Sequence, residues 1–321
     1  MRILYTFIKF KKIEHMTSKI LIGMLNDGRR YNHFSYFCKF LSQSQYKDNF
    51  KIIILSNKQH SLFHDIPIKY NLDSSFVETG GEYMDKIVRF ISYAKGHNYT
   101  YCFKVDNDII LPSHVFDFIY ENINIVDKGI LLPTLTTSIP SIYFLLEDYG
   151  NNEIKEKLFK MFKDFRYTNE WSIINNSLPE EYSYNNYVSF INNLKEPYGG
   201  NYKAIHPIRY DVESTKIWNE YVLENKSFFN NKNNNCYVFE DINKCYFMPQ
   251  AFIMNISLLE NVLDKSLAYD PYDEVTLNNL IKKEQKQIFY IRNCFGLHIA
   301  HNGFMPNFLQ YEEEFLLKFF E

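Results

Sequence analysis

The sequence predicts an α/β fold in which a mostly parallel central sheet carries helices on both faces. Short apolar runs of strand length alternate with segments of helical spacing, and polar turn residues end several of the runs. Strands that alternate with helices imply parallel pairing, because each helix carries the chain back across the sheet. The chain has 321 residues, of which 46% are hydrophobic and 23% charged, so it has ample material for a large core.

The predicted strands are apolar runs bounded by charged or turn-forming residues. They are residues 19–25, 51–56, 99–105, 246–255 and 287–298. The first helix, at residues 31–42, places Phe34, Phe37, Cys38 and Leu41 on one face. Further helices are predicted at residues 82–95, 151–165 and 275–286. We divide the chain into an N-terminal extension, a nucleotide-binding half and an acceptor-binding half: residues 1–15, 16–112 and 113–321.

Composition and charge exclude several classes of protein. A net charge of −3 argues against a nucleic-acid binder, which normally carries a basic face. The five cysteines form no Cys-x-x-Cys pair, which indicates a reducing compartment and no disulfide framework. The apolar stretch at residues 3–8 is too short for a signal peptide, and no run reaches the ~18 apolar residues of a membrane span.

We therefore expect a cytoplasmic protein without a transmembrane segment. The basic N-terminal stretch and the amphipathic tail at residues 312–321 leave peripheral contact with the inner face of a membrane open. The alternative is a frayed end and a solvated terminal helix.

Polar residues follow two of the predicted strands. Asn26-Asp27-Gly28-Arg29-Arg30 follows the first strand and Asp106-Asn107-Asp108 follows the third. Parallel sheets bind ligands beyond the carboxyl ends of their strands, so these segments are expected to meet in one crevice. Paired carboxylates suit Mg²⁺ or Mn²⁺, which in turn bind phosphate oxygens. The alternative is a turn whose aspartates bond nearby backbone N–H groups.

Residues 85–112, with Lys86 and Arg89 on the helix and Lys104-Val-Asp106-Asn-Asp108 after it, resemble the Asp-x-Asp region of GT-A glycosyltransferases. The likeness is to the β-1,3-galactosyltransferase and Fringe type. It implies a Rossmann-like GT-A sheet, metal binding by Asp106 and Asp108, and substrate contacts from Lys86 and Arg89. Asn107 stands where the family has a middle acid, and its amide would bond a ribose or sugar hydroxyl.

Two later segments fit the same resemblance. Asp273-Glu274-Val275 resembles the Glu-Asp-Val of the Fringe type with the acids exchanged, which implies that Asp273 or Glu274 is the general base. The alternative is a pair of charges that favours a helix start. His298 and His301 lie where GT-A enzymes complete the metal site. In an extended segment these two would face opposite ways, so only one is expected to bind.

Arginines and glycines complete the predicted substrate site. Arg29 and Arg30 would meet a diphosphate or base, with an exposed helix start as the alternative. Gly199 and Gly200 form a tight turn where a backbone could approach a ligand.

The sequence thus predicts a glycosyltransferase that uses Mn²⁺ or Mg²⁺ and inverts the sugar's configuration. The donor would be a nucleoside-diphosphate sugar, with a UDP-sugar favoured by the resemblance, and the acceptor a hydroxyl of a glycan, free or lipid-linked. One alternative is a sugar-nucleotide nucleotidyltransferase, although the loop after the first strand has one glycine where such enzymes have several. Another is a non-catalytic glycan-binding protein.

Overall fold

A computed structural model describes residues 19–138, 140–150, 153–157, 160, 208, 212–229, 231, 235–242, 250–260, 281, 283–300 and 307–321. The predicted helices at residues 151–165 and 275–286 lie largely outside the described residues. Five predicted site residues also lie outside them: Gly199, Gly200, Asp273, Glu274 and His301.

Eight strands form one sheet in the described part of the chain. They are β1 (Ile20–Leu25), β2 (Phe50–Ser56), β3 (Ser74–Glu78), β4 (Tyr101–Asp106), β5 (Gly129–Leu135), β6 (Tyr237–Glu240), β7 (Ala251–Asn255) and β8 (Gln287–Gly296). Their order across the sheet is β3-β2-β1-β4-β7-β5-β8-β6. The sheet therefore runs through both predicted halves of the chain, while the binding roles of those halves stay a prediction.

The sheet is mixed and mostly parallel, as predicted. Strands β3, β2, β1 and β4 are parallel to one another, and β5 is parallel to β8. Strand β7 lies antiparallel between β4 and β5, and β6 is antiparallel to β8 at the edge. The burial of β1 on both faces explains its unbroken apolar run, which a parallel strand inside a sheet requires.

Eight helices with defined bounds accompany the sheet in the described part of the chain, and residues 153–157 and 256–260 are also helical. The eight helices are α1 (Tyr31–Ser42), α2 (Asp65–Lys69), α3 (Tyr83–Gly96), α4 (Ser113–Glu121), α5 (Ser141–Tyr149), α6 (Val212–Glu224), α7 (Lys226–Phe229) and α8 (Phe308–Phe320). Helix α1 has the predicted bounds and buries its four predicted apolar residues. Helix α3 follows the predicted helix 82–95 to within a residue. Short 3₁₀ segments lie at Lys47–Asn49, Lys58–His64 and Ile123–Asp127.

An irregularity in β8 positions the last part of the site. Pro133 of β5 pairs with Ile291, but Leu135 pairs with Gly296, so β8 carries extra residues between the two pairs. Such a bulge bends the strand and redirects the side chains that follow it. Immediately afterwards Leu297 exchanges backbone hydrogen bonds with Ile110, at 2.8 and 2.9 Å. The chain after β8 is thereby joined to the chain after β4.

The C-terminal helix α8 packs against the rest of the protein. Its apolar face is buried through Phe315, Leu316 and Phe319. Phe320 stacks on Tyr36 of α1 with ring centroids 4.2 Å apart. The apolar face of the tail, which suggested membrane contact, therefore packs against the rest of the protein. Membrane contact stays a prediction. No helix in the described ranges is both long and apolar enough to cross a bilayer.

Candidate active site

The loop after β1 is organised by the buried side chain of Asn26. Its Oδ1 accepts hydrogen bonds from the Gly28 N–H at 3.0 Å and from Asn107 Nδ2 at 2.8 Å. Gly28 has a φ of 82°, and a Cβ there would come within 2.1 Å of the His60 ring, so only glycine fits this turn. Asn26 thereby fixes the loop and joins it to the end of β4.

Asn107 serves this loop rather than facing outward. Its Nδ2 also donates to Asp27 Oδ1 at 3.1 Å and to the Arg29 carbonyl at 2.8 Å, and the residue is only 3% exposed. Burial alone would raise the pKa of Asp27, but hydrogen bonds from the Arg29 backbone and from Asn107 outweigh it, and the pKa is lowered. Asn107 therefore joins the two strand ends, and its predicted sugar contact stays a prediction.

Arg30 lies among three carboxylates. Its Nε donates to Glu312 of α8 at 2.9 Å, and its Nη1 lies 3.3 Å from Asp27 and 3.5 Å from Asp108. Burial would lower the pKa of this guanidinium, but the charge of Asp108 and the bond to Glu312 raise it. The backbone of Arg30 is left-handed, with a φ of 60°, a conformation rarely adopted by side chains of this size.

Asp108 connects this cluster to the chain after β8. Its Oδ2 lies 3.4 Å from His298 Nε2 and 3.5 Å from Arg30 Nη1. Burial would raise the pKa of Asp108, but His298 and then Arg30 outweigh it, and the pKa lies well below its usual range. Its other oxygen, Oδ1, is buried and finds no hydrogen-bond partner among the described residues. A buried oxygen of this kind is a candidate contact for a ligand.

His298 is held by two threonines that follow β5. Its backbone N–H donates to Thr136 Oγ1 at 2.9 Å, and that hydroxyl donates to the His298 carbonyl at 2.6 Å. Its Nδ1 is hydrogen-bonded to Thr137 Oγ1. With Nδ1 engaged, Nε2 is directed at Asp108. A fixed ring of this kind is typical of histidines that act as metal ligands.

Two lysines lie beside Asp106 at the end of β4. Lys104 is 1% exposed, and its Nζ lies 2.8 Å from Asp106 Oδ1 and 5.2 Å from the centre of the Tyr83 ring. Lys86 Nζ donates to the Asn26 carbonyl at 2.8 Å. Burial lowers the pKa of Lys86, whereas the charges of Asp27 and Asp106 act to raise it. Asp106 and Asp108 therefore have different partners, cationic lysine for one and arginine with histidine for the other.

His33, in the first turn of α1, was not predicted from the sequence. It is 1% exposed, and within the described part of the chain neither ring nitrogen has a hydrogen-bond partner. Burial lowers its pKa to about 4, against the charges of Glu312 and Asp108, which act to raise it. Its neutral imidazole thus lies within electrostatic reach of the Arg30 cluster. At the sequence level it is indistinguishable from a core residue, because it shares α1 with five buried apolar side chains.

The structure brings most of the predicted site residues together. The side chains or backbones of Asp27, Arg29, Arg30, Lys86, Asp106, Asn107, Asp108 and His298 are connected at the carboxyl ends of β1, β4 and β8. Arg29 pairs with Asp27 at 2.6 Å and is half exposed. Arg89 instead pairs with Asp85 on the surface of α3, at 3.4 Å. Sequence analysis gave no role to Glu312, Thr137 and His33, which reach the site from segments without a motif. Lys104 lies within the segment that resembles the Asp-x-Asp region but was given no role of its own.

The donor set suits a divalent cation in part. A carboxylate oxygen without a partner, an imidazole directed at the same carboxylate, and three acids around one arginine all favour added positive charge. However, the described side chains contain no group of three acids, histidines or cysteines arranged to hold a metal. Asp108 and His298 thus form a pair of candidate ligands, and Asp106 stays a predicted third.

No family model matches the chain, and no curated protein matches it. It is similar to solved structures of nucleotidyl- and glycosyltransferases. A 4-diphosphocytidyl-2C-methyl-D-erythritol synthase from Anaerococcus prevotii shares 8% identity over 94% of this chain and 96% of that one, with a TM-score of 0.46.

Two further structures are similar. Mouse xyloside xylosyltransferase 1 has 10% identity, coverage of 94% and 93%, and a TM-score of 0.34. Staphylococcus aureus TarS 1–349, solved with UDP-GlcNAc, has 12% identity, coverage of 67% and 74%, and a TM-score of 0.30. Likenesses at this level do not identify the reaction of this chain, and the Fringe type stays a prediction.

Proposed function

We propose that this chain is a metal-dependent glycosyltransferase that moves a sugar from a nucleoside-diphosphate sugar to a glycan hydroxyl with inversion. The observation that carries the proposal is Asp108. Its carboxylate lies where the chains leaving β1, β4 and β8 meet, between Arg30 and His298, and it keeps one buried oxygen without a partner among the described residues. A carboxylate that served packing alone would have both oxygens satisfied.

Asp108 and His298 would hold Mn²⁺ or Mg²⁺, with Asp106 as a further ligand. Asp27, Asp106, Asp108 and Glu312 carry four negative charges, which Arg29, Arg30, Lys86 and Lys104 balance. The support for a cation is therefore the Asp108 oxygen that has no partner among the described residues. When bound, the cation would neutralise the charge of the leaving diphosphate.

The chain's own positive groups would bind the donor's diphosphate. Helix α1 begins directly after Arg30, and its N-terminal N–H groups favour an anion. Lys86 donates a hydrogen bond to the Asn26 carbonyl, and Lys104 forms an ion pair with Asp106 at the end of β4. These groups surround the strand ends where a nucleotide binds in sheets of this kind.

For the acceptor, we propose that Asp273 or Glu274 takes the proton of the attacking hydroxyl. The support is the sequence resemblance, since both residues lie outside the described part of the chain. Attack from the face opposite the leaving group gives a product whose anomeric configuration is opposite to that of the donor. Proton NMR of early product measures this directly, and a retained configuration would remove the general base from the proposal.

The metal and donor roles are tested by Asp108→Asn, with Asp73→Asn as the matched control. Asp73 is also ion-paired, but its partners are Lys19 and Lys51, near the amino ends of the strands. We expect Asp108→Asn to lose at least about 100-fold in transfer, since even an indirect support of a metal ligand is worth about 10–100-fold. Asp73→Asn should keep full activity.

The assay follows nucleoside diphosphate release from a panel of nucleotide-sugars with Mn²⁺, on variants with matching circular dichroism. Retention of more than about a tenth of the activity by Asp108→Asn, ~1.4 kcal/mol of barrier, would exclude it as a ligand. Pyrophosphate release from a nucleoside triphosphate and a sugar phosphate would instead show a nucleotidyltransferase.

A further inference from the structure

Two cysteines meet on neighbouring strands away from the site. In the antiparallel pairing of β6 with β8, Tyr237 lies opposite Arg292, which sets Cys236 opposite Asn293. In a regular strand the next residue, Cys294, would face the other side of the sheet. Asn293 has a left-handed φ of 60°, and its Nδ2 donates to the Asn235 carbonyl at 3.2 Å. This break in the alternation belongs to the β8 bulge, and it places Cys294 beside Cys236 across the paired strands.

The two thiols differ in their surroundings. Cys236 is half-buried, whereas Cys294 is 2% exposed. His114, in the first turn of α4, lies beside Cys236. The interaction with Cys294 and then that with His114 lower the pKa of Cys236, while the interaction with Cys236 and burial raise the pKa of Cys294. Cys236 is therefore the thiolate of the pair and the more accessible sulfur.

The other ionisable groups around the two cysteines lie on three elements, α4, α5 and β8. His114 faces them from α4, Asp148 and Tyr149 from the end of α5, and Arg292 from β8. The Tyr149 hydroxyl is buried and unpartnered among the described residues, and burial raises its pKa. It therefore remains a neutral phenol beside the sulfurs. Asp148 is engaged by Arg292 at 2.6 Å, so its charge is already paired.

We propose that Cys236 and Cys294 form an oxidation site at which a hydroperoxide converts the two thiols to a disulfide between β6 and β8. The Cys236 thiolate attacks one peroxide oxygen and takes up a proton overall, which gives a sulfenic acid and releases one water or alcohol. The Cys294 thiol then attacks the sulfenic sulfur. The S–S bond forms, the S–OH bond breaks, and the hydroxyl leaves as water with the thiol's proton.

Cys38 and Cys102 are internal controls for this chemistry. Both are buried, at 0% exposure, and burial raises the pKa of each thiol, to about 12 for Cys102. They are expected to remain reduced under conditions that oxidise Cys236. Cys245 lies outside the described residues and is followed by peptide mapping.

The test treats the full-length chain with hydrogen peroxide and maps the peptides by mass spectrometry without reduction. We expect a linked peptide pair containing Cys236 and Cys294 that has lost two hydrogens. Cys294→Ser should stop at a Cys236 sulfenic acid that dimedone traps, and Cys236→Ser should leave Cys294 unmodified. Iodoacetamide at pH 7 should alkylate Cys236 at least about tenfold faster than an ordinary thiol.

Several results would overturn the proposal. They are a link from Cys236 to Cys245, a link between two chains, an unmodified Cys236, or an alkylation rate for Cys236 no higher than that of a free thiol. The Cys38→Ser variant controls for general damage, because it should be oxidised at Cys236 and Cys294 as the wild-type chain is.

Discussion

Two buried arginines in this fold are surrounded by acids, and the difference between them separates structure from function. Arg292 on β8 binds Asp148 through two nitrogens, at 2.6 and 3.0 Å, and its guanidinium lies 4.3 Å from the centre of the Phe144 ring. Glu147 is a third, longer contact at 3.4 Å. A bidentate pair stacked on an aromatic ring is the geometry in which arginine is best satisfied.

Arg30 is also paired through two nitrogens, with Glu312 at 2.9 and 3.3 Å, and its guanidinium lies 5.9 Å from the centre of the Phe308 ring. It differs from Arg292 in its other surroundings. It contacts three carboxylates from three separate segments, holds a left-handed backbone, and lies beside an Asp108 oxygen and a His33 ring that lack partners among the described residues. Unsatisfied polar atoms cost free energy, and a strained backbone adds a further cost. Such costs are typical of functional sites, so the Arg30 cluster is the one expected to bind a ligand.

Removing one charged residue from each cluster tests most clearly whether Arg292 serves stability and the Arg30 cluster serves function. Arg292→Met leaves Asp148 and Glu147 without a cation, and we expect the free energy of unfolding to fall by about 3 kcal/mol. Activity per folded molecule should be unchanged, because the described partners of Arg292 are Asp148 and Glu147, which lie outside the site. Urea unfolding and steady-state kinetics measure the two effects, and lost activity at unchanged stability would reverse the assignment.

Glu312→Gln is the matched change at Arg30. It keeps the shape of the side chain but removes a charge from a bond that is worth about 2 kcal/mol. We expect a smaller loss of stability than for Arg292→Met, together with a lower kcat/KM, because Arg30 is then free to bind Asp108 more strongly. If kcat/KM stays at the wild-type value, the C-terminal helix has no part in the site.

Protonation of His33 should give a smaller, pH-dependent effect. Its pKa is about 4 in the folded protein and 6.5 as the ordinary value, so the unfolded chain binds the extra proton between these limits. His33 therefore does not reduce the free energy of unfolding above pH 6.5. As the pH falls below this value the free energy of unfolding decreases, by about 3 kcal/mol at pH 4.

The measurement compares urea unfolding of the wild-type chain and His33→Leu in EDTA across this range. The lowered pKa values of Asp27 and Asp108 also reduce stability at low pH, and the charge of His33 is one of the causes that lower the pKa of Asp108. The difference between the two curves therefore reports His33 together with its effect on Asp108. Parallel curves would mean that its imidazole is protonated or bonded in the folded state.

The same contrast shows what could be predicted from the sequence. Strands β1, β2 and β4 were predicted because they are unbroken apolar runs that end in polar turns. Strand β5 was missed, since Pro133 interrupts its run and prolines are rare inside sheets. The antiparallel insertion of β7 could not be predicted either, because a buried apolar run does not show whether its strand will be parallel or antiparallel to its neighbours.

The convergence of residues next to strand ends could be predicted from the sequence, whereas the residues that packing brings in could not, and the roles of all of them stay predictions. Asp108 and Arg30 follow strands and were predicted to converge. Glu312 is 282 positions away from Arg30 and lies in a helix whose charges read as a solvated face. The contact of Thr137 with His298 depends on the β8 bulge. No local sequence pattern predicts that bulge.

The most direct test of the proposed metal site is titration calorimetry of UDP binding with Mn²⁺ and with EDTA. Diphosphate oxygens beside Asp106 and Asp108 repel these carboxylates unless a cation lies between them. We predict affinity at least about tenfold higher with Mn²⁺, ~1.4 kcal/mol, and loss of that difference in Asp108→Asn but not in Asp73→Asn. Equal affinity of the wild-type chain in both buffers would contradict a metal site at Asp108 and His298.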